Sequence, residues 1–272
     1  MTQPLLFHRF LGIWFGTLVA ESIAGAERHS DSAARLRWQV TCRLAARGHG
    51  ALDEAIADWD WHLLQAVDWV RATLPLAFFF HDEPEHWVAR LTAILALDKE
   101  KCQLLRNWAN IVADILVSPQ LPVRAPSVPD CNRQKPIVQA LEGDPMRAIA
   151  LAQFYSQDTP HHFQLAVLRS WRGTSAPEVA SLTGTLMGGR LGVGRIPWRW
   201  QRRPEVADLL TDSHLLLESL WMQWLGCPHS QFSLPVVGAI ATATTLQPRP
   251  RLALVSQRWL LRDCSSHPQP VL

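Results

Sequence analysis

The chain has 272 residues, of which 48% are hydrophobic and 18% charged, a balance that excludes wholesale disorder, collagen and a long charged coiled coil. Lys+Arg is 26 against Asp+Glu 24, so the net charge of +2 gives no global argument for nucleic acid or an anionic membrane. The length is ordinary for a single domain with a large core. In chain order, the first predicted helix carries Phe7, Phe10, Leu11, Trp14, Phe15 and Leu18 at i, i+3, i+4 spacing. Gly12 and Gly16 stand four apart on one face, which lets a second helix approach closely. The uncharged run Leu11 to Ala20 is too short to span a bilayer, and Glu21 interrupts it before Ala24-Gly25-Ala26, so a cleaved leader is not the favoured reading. Ser30 or Asp31 is a candidate cap for a helix from about Ala33 to Ala46, stopped at Gly48. Asp53 to Val70 reads as one helix, and Leu74-Pro75 as a break.

Glu85 to Leu97 and Lys99 to Val117 read as two helical pieces around a turn near Asp98. Ser118 to Pro136, with five prolines, is predicted to be a loop. Helical patterns resume at Ile137–Leu141, Pro145–Tyr155, His161–Trp171, Glu178–Leu191 and Glu205–Leu225. From Pro228 the expectation is a terminal helix and an irregular tail, which divides the chain into a helical domain over 1–227 and an extension over 228–272. Val236–Ile240 and Leu252–Val255 are the only strand-like runs, so the fold class is all-α. Cys42, Cys102, Cys131, Cys227 and Cys264 are odd in number and widely spaced, which argues against a disulfide framework or zinc site and for buried apolar cysteines in a reducing, cytoplasmic setting.

Two segments carry a family resemblance. The run Arg9 to Ala24, with Gly12, Gly16 and Ala20-Glu21, resembles the opening helix of the ADP-ribosylglycohydrolase family, roughly G-x-x-x-G-x-x-x-G-D-A-x-G. The run Gly173 to Gly192, with Gly184, Gly188 and Gly192 followed by Ile196-Pro197 and Trp200, is similar to that family's late motif, G-G-D-T-D-T-x-x-x-x-x-G-x-x-x-G-A-x-x-G…I-P-x-x-W. The resemblance covers about residues 7 to 225. It implies a compact all-α domain and, in active members, two magnesium ions held by carboxylates that hydrolyse glycosidic bonds to ADP-ribose.

The ligand positions of that motif are degraded here. Ser175 and Pro177 stand where the two late aspartates belong, and Ala176 and Glu178 where the threonines belong. Glu178 is turned by about 100° from position 177 on a helix. Pro177 and Glu178 read better as an early-helix proline and an acid near the positive helix end, with Ser175 as cap. Asp31 is the only carboxylate left near the early ligand segment, and a helix cap is its simpler role. Glu21 is read as lining the old cleft or as an exposed helix glutamate. The family's histidine is not evident near Leu97-Asp98. No catalytic set and no metal site is therefore expected. His161-His162 diverge on a helix, and His81-Asp82-Glu83 reads as a solvated turn. Gly188 to Gly194 superficially resembles a phosphate loop but ends a helix instead of opening one.

One cluster lies outside the family pattern. Arg195, Trp198, Arg199, Trp200, Arg202 and Arg203 put four arginines and two indoles within nine residues. Such a surface suits an acidic protein or a nucleotide-like ligand; its simpler reading is core tryptophan with a solvated arginine rim. The expectation is a catalytically inactive ADP-ribosylglycohydrolase-like protein acting by binding a protein or nucleotide-like partner. It needs no cofactor, does not insert in a membrane, and does not take nucleic acid as its main partner. The alternatives are a magnesium-dependent hydrolase using Glu21, Asp31, Asp98 and Glu178, and an unrelated helical adaptor protein.

Overall fold

The computed structural model describes residues 4–25, 32–48, 53, 56, 61, 64–117, 144–174 and 176–225. Every regular element among them is helical: α1 (Pro4–Ile23), α2 (Ser32–Arg47), α3 (Ala66–Ala72), α4 (Leu74–Phe79), α5 (Pro84–Leu95), α6 (Lys99–Val117), α7 (Pro145–Asp158), α8 (Phe163–Thr174), α9 (Pro177–Leu191), α10 (Trp198–Gln201) and α11 (Pro204–Trp224), with a 3-10 turn at Val193–Arg195. The described residues are all-α, and among them no helix is long and apolar enough to cross a membrane. The predicted loop over 118–136, the helix at Ile137–Leu141, the tail from 228, both strand-like runs, and Cys131, Cys227 and Cys264 lie outside the described residues, as do Asp31 and Ser175.

Helices α1 and α9 form the centre. Residues 9–21 of α1 and 179–189 of α9 are buried on every side. The two run antiparallel, because Gly12 meets Gly188 and Gly16 meets Gly184. A Cβ on any of these four glycines would collide with a backbone carbonyl of the facing helix, so the axes approach only because four side chains are missing. Thr17 Oγ1 and Thr185 Oγ1 meet across this seam at 2.7 Å, which satisfies two buried hydroxyls between the helices. α7 and α8 cover α9, and α11 covers α1 and α2.

The ends of these helices follow local chemistry. Proline occupies the first turn of α4, α5, α7, α9 and α11, where its missing N–H costs nothing. Asp144 caps α7 by accepting from Met146 N at 3.0 Å, and Asp98 caps α6 by accepting from Lys101 N at 2.7 Å. Two buried or part-buried arginines close the opposite ends: Arg9 Nη1 donates to the Leu116 carbonyl at 3.0 Å and Arg190 Nη1 to the Ser156 carbonyl at 2.8 Å. Gly192, at φ +75°, takes a backbone conformation that an L side chain resists, and the chain turns there out of α9.

Two expectations need correction. Asp53 to Val70 is not one helix: Gln65 is extended at φ −69°, ψ 162° ahead of α3, and Trp61 Nε1 turns back to the Ile56 carbonyl at 2.8 Å. Cys42 and Cys102, the two described cysteines, form no disulfide and are half-buried, not buried.

Candidate functional site

The carboxylate of the first motif, Glu21, sits on α1 one turn beyond Leu18 and is 1% exposed. It is neither an exposed helix glutamate nor free in a cleft. Arg37, from α2, grips it with both arms of the guanidinium, Nη1 to Oε1 at 2.8 Å and Nη2 to Oε2 at 2.7 Å. Arg71 Nη2, from α3, reaches Oε1 at 3.0 Å, and Ser181 Oγ, from α9, donates to the same oxygen at 2.9 Å. Arg71 also donates to Asp68 at 3.1 Å, so two carboxylates balance two guanidiniums. Burial alone raises a carboxyl pKa, but here Arg37 and Arg71 outweigh it and hold Glu21 well below the usual carboxylate range. The Arg37 guanidinium also lies over the Trp14 indole, 5.5 Å from its centre.

Arg37, Arg71 and Ser181 were not among the predicted site residues. The signal for Arg37 was present: α2 turns Ala33, Val40 and Leu44 inward, and Arg37 stands on that stripe. An acid on the apolar stripe of one helix and an arginine on that of the next imply a buried pair.

Glu178 is half-buried on the first turn of α9, one turn before Ser181. Pro177 occupies the start of α9 as expected, and the cap position belongs to Ala176, with no side-chain cap bond. Asp98 is spent as the α6 cap and pairs with Lys101 at 3.0 Å; the Lys101 backbone N–H is the main cause of its lowered pKa. It lines a cavity of about 250 Å³ with Trp61, Trp69, Leu95, Leu97 and Lys101. His81 is buried, with Nδ1 2.8 Å from the Phe78 carbonyl, so the polar turn does not present it to solvent.

Magnesium does not fit the Glu21 cluster. Both oxygens of Glu21 already accept from guanidinium groups, and a cation there would have to displace Arg37 and Arg71. Among the described residues, no group of three His, Cys, Asp or Glu side chains converges to hold a metal.

The arginine and tryptophan cluster occupies the turn from α9 through α10 into α11. Ile196 is buried beneath it, and Gln201 Nε2 ties back to the Ile196 carbonyl at 2.8 Å. Trp200 is half-buried and meets Phe163 edge-on at 6.3 Å, as a core residue would. Trp198 is 61% exposed. The guanidiniums of Arg199 and Arg202 lie over its ring, 5.6 and 5.4 Å from the centre. Arg195, Arg199, Arg202 and Arg203 are all exposed, and none forms an ion pair with another described residue.

No family model, no curated protein and no solved structure matches the chain.

Proposed function

We propose that the chain is a catalytically inactive, cytoplasmic relative of the ADP-ribosylglycohydrolases, and that it acts by binding through the Arg195–Arg203 surface. The observation that carries this reading is the state of Glu21. The carboxylate of the first resembling segment, Glu21, is locked by Arg37 and Arg71 and shielded from water. The glycine-to-glycine seam between α1 and α9 supports the same scaffold, because it joins the two segments that carry the resemblance.

The test is a hydrolysis assay on ADP-ribosylated arginine and serine peptides, with calorimetric titration of ADP-ribose with and without magnesium. The expected outcome is no chelator-sensitive release of ADP-ribose and no magnesium-dependent heat. Release that is abolished by chelator overturns the reading. The double change Ser175→Asp and Pro177→Asp is expected not to restore activity, because Glu21 stays bound to its two arginines.

A further inference from the structure

The exposed cluster has a composition that selects among partners. Resting on the binding role proposed above, we infer that Arg195, Arg199, Arg202 and Arg203 form a guanidinium fan, ordered by Trp198, that docks a carboxylate-rich segment of a partner protein. Arginine forks match carboxylates two bonds at a time, and a guanidinium held against an indole loses less rotamer freedom when it binds. Arg199 and Arg202 are already so held. The backbone beneath them is fixed by buried Ile196, by the Gln201 tie and by the inward ring of Trp200.

Three features favour a protein over other anions. Trp198 stands out from the surface at 61% exposure, whereas small ligands such as nucleotides are taken into concave sites that bury most of their area. Asp208 and Asp212 are exposed on the first half of α11, roughly one and two turns past Arg203, and oppose a phosphate chain running on from the fan. A polypeptide meets both signs by changing residue type along its length. Farther along α11, Leu215 is 69% exposed, three residues beyond Asp212, and offers an apolar contact on the same face.

Fluorescence anisotropy with a labelled peptide, a run of glutamates followed by lysine and leucine residues, tests this, with a single-stranded RNA oligomer of matched length as the rival probe. The peptide is expected to bind more tightly than the RNA. Arg199→Ala/Arg202→Ala/Arg203→Ala should weaken it by at least about tenfold without lowering the melting temperature. Trp198→Ala, which leaves the charge unchanged, should also weaken it, because the fan loses its support. Peptide binding that is absent, weaker than that of RNA, or indifferent to Trp198→Ala overturns the inference. The hydrolysis assay on the same samples keeps the two proposals apart: chelator-sensitive turnover with intact peptide binding removes only the first, and no turnover with no peptide binding removes only the second.

Discussion

Glu21 is one carboxylate held by two guanidiniums and a hydroxyl in a dry interior, and that arrangement has measurable consequences at the residue scale. Removing one partner of a buried ion pair leaves the other charged and unpaired, which costs about 3–5 kcal/mol. Glu21→Gln should therefore lower the stability by that order in denaturant unfolding, while the paired change Glu21→Leu with Arg37→Met should cost less, because it removes both charges together. The pH dependence follows from the direction of the shift. Glu21 is depressed below its ordinary value of 4.5 in the folded state, so in acid the unfolded chain binds the extra proton. Its contribution is complete above that value and is lost as the pH falls below it toward the folded value. Melting temperatures measured from about pH 6 down to about pH 3 should thus show the gap between wild type and Glu21→Gln narrowing with acid; a constant gap would mean that Glu21 is not held as a carboxylate.

At the scale of elements, the α1–α9 seam was the most legible part of the fold. Small residues four apart on two helices announce close packing, and Gly12, Gly16, Gly184 and Gly188 do meet. Gly188→Ala would drive a methyl into the Gly12 carbonyl, and the obstruction is backbone, which cannot swing aside. The expected loss is roughly 1–3 kcal/mol or more. Gly194→Ala is the control, since nothing lies within 4 Å of its added Cβ; its stability should stay within about 0.5 kcal/mol of wild type. A loss at Gly188→Ala no larger than at Gly194→Ala would mean that the α1–α9 seam does not depend on the missing side chain. The break before α3 was not legible for a physical reason. Ile56, Val67 and Val70 keep helical spacing across Gln65 because the pieces on either side face the same core, and periodicity does not register an interruption that leaves the inward face unchanged. For the candidate site, the arginine-rich run was visible as composition, but the division between inward Trp200 and outward Trp198 needed the turn after Pro197.

At the scale of the whole molecule, one core joins elements far apart in sequence. Trp221 on α11 meets Phe7 at 5.3 Å, Phe10 at 5.4 Å and Trp224 at 4.8 Å, while Phe10 meets Phe78 on α4 at 4.5 Å. α11 therefore closes over the central helix instead of standing beside it. That arrangement also bears on the guanidinium fan, which sits between α9 and α11 and is held at both ends by this core. Truncating Trp221 to alanine removes the shared contact and should cost about 3–5 kcal/mol. If the core is one cooperative unit, the loss is spread over the whole helical body. Near-ultraviolet and far-ultraviolet circular dichroism should then still melt together, at a lower temperature, with amide protection falling equally in α1, α9 and α11. The contrary outcome is equally clear. Were α11 a separate unit, Trp221→Ala would release it first, far-ultraviolet signal would fall ahead of the main transition, and α1 and α9 would keep their protection. In that case the fan would lose one of its two anchors, and the Trp221→Ala variant would lose binding of the glutamate-led peptide below its main melting transition.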